Sequence, residues 1–143
     1  LVGSEMCIRD SGYTVLYSHV DAILQSAGFL TWKGLYHQQS AAHAALASDI
    51  MESYRHLVER HAIQVVNQNS IKQDAFREET NALGATGLRL SAEARRRYVA
   101  GLIRRFQGFA KDQTLHQHLY QQALELKKAM LNRTQFTPWK ETK

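Results

Sequence analysis

Apolar residues recur at spacings of three and four along most of this chain, and that period predicts a helical protein. Tyr13, Leu16, Tyr17, Val20, Ile23 and Leu24 mark one side of a first helix, because residues three and four apart share a helix face. Ala27-Gly28 should end it, since glycine takes the left-handed conformation past a helix end without strain. Phe29 to Ser40 reads as a connecting loop. A long helix follows from Ala41 to Asn67, with Leu46, Ile50, Met51, Tyr54, Leu57, Val58, Ala62 and Val65 as its buried stripe.

Capping residues place the remaining elements. Ser70 and Gln73 form a capping-box pattern that predicts a short helix to Glu79. Asn81 to Arg89 reads as a loop with Gly84 and Gly87, its Gly87–Leu90 end extended. Ser91 predicts the start of a helix to Phe109, with Glu93 well placed in the first turn. Thr114 and Gln117 repeat the capping box ahead of a helix to Leu131, and the tail from Asn132 holds the only proline, Pro138. The expected fold class is all-α, with roughly five helices. Leu1 to Ser11 shows no clean period, opens without methionine and resembles translated adapter read-through. The expected organisation is a foreign or disordered leader over 1–12, a helical domain over 13–131 truncated on its N-terminal side, and a tail over 132–143.

Composition frames the chemistry without choosing it. The 143 residues suit one domain, and 44% hydrophobic and 22% charged content are ordinary for a globular protein. The net charge of +5 is unevenly spread: residues 1–88 hold six Lys/Arg against nine Asp/Glu, and 89–143 hold twelve against four. That imbalance points either to a polyanion partner for the C-terminal half or to a solvated face. A single cysteine, Cys7, excludes an internal disulfide framework and a cysteine-rich zinc site. No apolar run reaches the length of about 18 residues that spans a bilayer, and the N-terminus lacks a secretory layout. Cytoplasmic residence with no membrane partner is the expectation.

Candidate chemistry concentrates at His37, Asp49 and Glu52. On a helix, positions i and i+3 share a face, so Asp49 and Glu52 can point at one volume. An imidazole with two carboxylates is the mixed N/O set that holds a divalent ion for phosphate chemistry. His43 and His56 are rival ligands, His56 standing at i+4 from Glu52. The residues alone leave a metal site and an exposed acidic helix face both open. Arg95-Arg96-Arg97, with Arg104-Arg105, similarly reads as phosphate contact or as a solubilising face.

The order of Tyr13 to Arg60 resembles the C-terminal domain of CRISPR-associated protein 1, the integrase family of CRISPR spacer acquisition. The family's pattern is a glycine-aromatic/aliphatic-histidine turn followed by an Asp-Leu-Met-Glu-x-x-Arg helix. Gly34-Leu35-Tyr36-His37 and Asp49-Ile50-Met51-Glu52-Ser53-Tyr54-Arg55 stand here at matching spacing. Asp74-Ala75-Phe76 resembles the family's Asp-Phe element, and Leu90 to Tyr98 its basic helix, so the similarity covers residues 13–131. The resemblance implies His37 and Glu52 as ligands for Mg²⁺ or Mn²⁺, with Asp49 as the supporting acid. It further implies Arg55 facing DNA and Tyr17 lining the site.

The implied activity is that of a DNA endonuclease/integrase of antiviral defence, joining a spacer 3′-OH to the CRISPR repeat. Implied partners are spacer and repeat DNA, a second copy in a homodimer, and CRISPR-associated protein 2. The Gly-Leu-Tyr-His and His-Ala-Ala-Leu-Ala-Ser-Asp wording is also similar to members fused to a reverse transcriptase. The family's first ligand, a glutamate on an upstream helix, has no counterpart, and Glu5 is not assigned to it. The family's β-rich N-terminal domain has no counterpart either, so the isolated chain is expected to be inactive. The alternative function is a non-enzymatic helical DNA-binding module using the 89–143 surface, Arg95, Arg96 and Arg97 above all.

Overall fold

The computed structural model describes residues 2–34, 44–80, 84 and 86–140. Its elements run α1 (Val2–Ser26), α2 (Ala45–Glu52), α3 (Arg55–Asn67), β1 (Phe76–Thr80), β2 (Thr86–Leu90), α4 (Ala92–Gln107) and α5 (Leu115–Asn132), with a 3-10 turn at Gln73–Ala75. Helix dominates, but the fold is not all-α. β1 and β2 form a two-stranded antiparallel sheet in the register Phe76↔Leu90 to Thr80↔Thr86.

That hairpin replaces the short helix expected from Ser70 to Glu79. The capping pattern at Ser70 and Gln73 yields only the 3-10 turn, whose Lys72 cap makes no side-chain bond. A helix nucleus of one turn is unfavourable by itself, and here it competes with a ladder that the later strand completes. Ser91 N–H donates to Ala75 O at 2.8 Å, closing the hairpin base. The Thr80 and Thr86 hydroxyls lie 3.1 Å apart near its tip, and Arg89 pairs with Glu79 at 3.2 Å. Two further boundaries differ from expectation. α1 begins at Val2 rather than near Tyr13, and the long Ala41–Asn67 helix is broken into α2 and α3 at Ser53–Tyr54.

The chain divides into two compact units, Leu1–Val15 with His56–Arg105, and Leu16–Arg55 with Phe106–Lys143. In the first, Ile8, Ala62, Val65, Leu90, Ala94 and Tyr98 form one buried cluster. His61 lies at 6% exposure against Tyr98, its ring stacked at 4.9 Å and its Nε2 3.0 Å from the Tyr98 carbonyl. A Cβ on Gly101 would stand 2.8 Å from the His61 ring, so glycine is what admits the imidazole there.

The second unit packs Leu16, Val20, Ile23 and Leu24 of α1, Leu46 and Ile50 of α2, and Leu115, Leu119 and Leu126 of α5 as buried residues. α1 ends as its sequence predicts. Gly28 takes φ +86°, Phe29 N–H donates to Leu24 O, and Gly28 N–H donates to Gln25 O, which is the Schellman pattern. α5 opens on the expected capping box, with the Thr114 and Gln117 side chains each accepting from the other's backbone N–H.

Candidate active site

α2 is the element that carries the predicted acids, and its own sequence does little to start it. Ala44 occupies the N-cap and offers no side-chain acceptor. The first amides of a helix have no intrahelical partner and must be satisfied elsewhere. Here the Ala44 N–H donates to the Tyr17 hydroxyl at 2.6 Å, and Leu46 N–H donates to the Thr31 carbonyl at 2.9 Å. Tyr17, expected as a site-lining residue, thus holds the start of α2 from α1. His37 and His43 lie outside the described residues.

Asp49 is half-buried on α2, one turn before Glu52, which ends the helix and is exposed. Arg55 Nη1 donates to Glu52 Oε2 at 3.1 Å, with both side chains open to solvent. Two carboxylates one turn apart are the hard oxygen donors that Mg²⁺ and Mn²⁺ take, so the residues fit such an ion as part of a ligand set. Among the described residues, no group of three or more His, Cys, Asp or Glu converges. An exposed ion pair contributes at most about 1 kcal/mol, so a divalent cation can take the Glu52 carboxylate from Arg55 at small cost. His56, the other rival ligand, is the second residue of α3, past the turn at Ser53–Tyr54.

The arginines predicted to meet phosphate stand on α4, in the other unit. Arg95, Arg96 and Arg97 are all exposed, and Glu93 lies 3.8 Å from Arg97 one turn earlier. Ser91 Oγ accepts from Ala94 N–H at 3.3 Å, and Arg104 and Arg105 end the helix where cations suit its dipole.

One group of residues near the carboxylates escaped sequence reasoning. Tyr54, two positions past Glu52, is 1% exposed. Its ring stacks on Trp139 of the tail at 5.2 Å and 11°, with Phe109 at 6.3 Å and His118 edge-on at 5.8 Å. Trp139 also meets Phe109 at 5.4 Å and His118 at 5.2 Å, while its backbone N–H donates to Gln122 Oε1 at 3.0 Å. Burial pushes the Tyr54 hydroxyl above the ordinary phenol value and, opposed by Glu125, holds His118 below the usual imidazole range. The only sequence signal was a tryptophan directly after the sole proline.

The model of the family CRISPR associated protein Cas1 matches residues 10–104. A solved chain of a Cas6-RT-Cas1–Cas2 complex is similar with a TM-score of 0.90 and 71% identity, over 95% of this chain and 15% of that one. The CRISPR-associated endonuclease Cas1 of Mycobacterium tuberculosis is 25% identical over 116 residues, 80% of this chain and 34% of that protein. A casposase bound to integration product shares the fold, with a TM-score of 0.80 at 19% identity over 92% of this chain and 36% of that one. The chain therefore spans well under half the length of these relatives. A family match over residues 10–104, most of the sequence, places this chain in the CRISPR associated protein Cas1 family.

Proposed function

We propose that this chain carries part of the active site of a metal-dependent DNA endonuclease/integrase that inserts spacer DNA into a CRISPR repeat. The observation that carries the reading is the pair Asp49 and Glu52 on one turn of a helix whose start is held by Tyr17. His37 and Glu52 would hold Mg²⁺ or Mn²⁺, and Asp49 would orient the site. When bound, that ion supplies charge neutralisation at the scissile phosphate and acidity for the attacking hydroxyl.

The spacer 3′-OH attacks a phosphorus of the repeat strand, a new P–O bond forms, and the displaced 3′-oxygen leaves with a proton. With water as nucleophile the same chemistry nicks the strand. Arg55, once released from Glu52, faces phosphate. Arg95, Arg96 and Arg97 would hold DNA backbone through their bidentate guanidinium groups.

The similarity to a Cas6-RT-Cas1–Cas2 complex supports Cas2 and a fused reverse transcriptase as partners of the whole protein. The similarity to a DNA-bound casposase supports DNA as the substrate. A homodimer and cytoplasmic residence belong to the same proposal; no described helix is long and apolar enough to cross a membrane.

Strand joining tests the reading. Joined to the upstream portion that its longer relatives carry, and given Mn²⁺ and branched repeat DNA, the chain should ligate spacer to repeat. Glu52→Ala and His37→Ala should each lower the rate by about 100-fold or more. Activity that survives both substitutions would overturn the ligand assignment. Salt-sensitive DNA binding with no strand joining would favour instead the non-enzymatic module built on the exposed arginines of α4.

A further inference from the structure

Glu52 is the last residue of α2, and what fixes its direction lies beyond the helix rather than within it. Tyr54 N–H donates to Met51 O at 2.9 Å, so the Tyr54 backbone closes the last turn around Glu52. The Tyr54 ring then meets Phe109, His118 and Trp139. Its hydroxyl has no hydrogen-bond partner among the described residues. A buried phenol retained without a bond for its oxygen is present for its ring, and the ring's stacked partner is Trp139.

Trp139 reaches Tyr54 from the tail that follows α5. Arg133 leaves α5 in the left-handed conformation, and Thr134 N–H returns to Ala129 O at 2.9 Å. From Thr134 to Lys140 the backbone is irregular, and the Trp139 backbone N–H donates to Gln122 Oε1. Pro138 restricts its own φ and the conformation of Thr137, which lowers the entropy lost in presenting the indole.

We infer that Trp139 is a positioning residue: by stacking on Tyr54 it sets the turn that ends α2, and so aims the Glu52 carboxylate. The tail is then a strap on the metal-binding helix. Its role runs through Tyr54, the ring on which it stacks. The inference rests on the proposed role of Glu52, but its structural half stands apart from that role.

The test uses this chain with four substitutions and two readouts, amide hydrogen exchange and Mn²⁺ affinity by electron paramagnetic resonance. Trp139→Ala should speed exchange at the Glu52, Ser53 and Tyr54 amides by about tenfold or more while α4 amides keep their rates. It should weaken Mn²⁺ binding by about tenfold, the usual scale for losing an outer support of a metal ligand. Trp139→Phe, which keeps an aromatic face, should restore both. Gln122→Ala should give a smaller change in the same direction, and Tyr54→Phe should match the parent chain.

Unchanged exchange and affinity in Trp139→Ala would overturn the inference, as would failure of Trp139→Phe to rescue. If Trp139→Ala does not fold, Gln122→Ala decides, and parent-like behaviour there sinks the idea. A parent chain that binds no Mn²⁺ would instead count against the metal reading, and the exchange data would still judge the strap.

Discussion

α2 and α4 carry the two halves of the proposed chemistry and are built in opposite ways. α4 has 16 residues, a serine at its start, Glu93 in its first turn and arginines in its last. Nearly every signal that defines it lies inside or beside it. α2 has 8 residues and an alanine cap without a side-chain bond. Isolated helices shorter than about 12 residues are marginal in water, so α2 exists because other elements hold it. Tyr17 and Thr31 accept its first amides, and Tyr54 packs under its end. The acids therefore depend on distant contacts, while the arginines depend on local ones.

The sharpest way to break that contrast is to remove the core beneath α2. Leu46→Ala deletes a side chain at 3% exposure and should cost about 3 kcal/mol in urea unfolding. If the loss stays below about 1 kcal/mol, α2 is less dependent on packing than its length implies.

A smaller effect compares the two helix starts directly. Tyr17→Phe leaves the Ala44 amide without its hydroxyl acceptor and should cost about 1–3 kcal/mol. Ser91→Ala removes a local cap and should cost about 1 kcal/mol. Thermal unfolding of the two variants orders them, and a larger loss in Ser91→Ala would reverse the comparison.

Acid sharpens the contrast from the unit that holds α4. Burial, with further lowering from Arg105 and Arg104, outweighs the bond to the Tyr98 carbonyl and holds His61 below its ordinary 6.5. On lowering pH the unfolded chain therefore binds this proton before the folded one. The stability contribution is complete above about pH 6.5 and is lost as pH falls from there toward the lowered folded value. His61→Gln should flatten that part of a melting-temperature profile between pH 7 and 5. A profile as steep as the parent's would assign the acid sensitivity to other groups.

The smallest stability effect belongs to the arginines. Replacing Arg95, Arg96 and Arg97 by glutamine should move stability by no more than about 0.5 kcal/mol. It should nevertheless lower the salt dependence of DNA binding by up to about three phosphate contacts. A salt slope identical to the parent's would remove them from the DNA interface.

Legibility followed the same divide. Ser70/Gln73 and Thr114/Gln117 present the same capping signature, yet only the second opens a helix. After Thr114 the sequence supplies a leucine stripe that α5 buries on its own account. After Ser70 the competing structure is a ladder with residues 86–90, and a local signature holds no information about that partner. The hairpin is why an all-α expectation failed. The break between α2 and α3 was equally hidden, because the apolar period runs through it without interruption. The residue that Tyr54 stacks on there is Trp139, 85 positions later along the chain.

By itself the sequence determined the amphipathic stripes, the caps of α4 and α5, the glycine stop after α1 and the resemblance to the family. Each of those depends on neighbours within a few positions, or on a motif whose spacing is covalent. Tertiary structure alone decided that residues 76–90 pair as strands, that Tyr17 completes the start of α2, and that a tail tryptophan supports its end. Those outcomes depend on contacts between residues far apart in the chain, where burial and unsatisfied backbone groups choose among locally equivalent conformations.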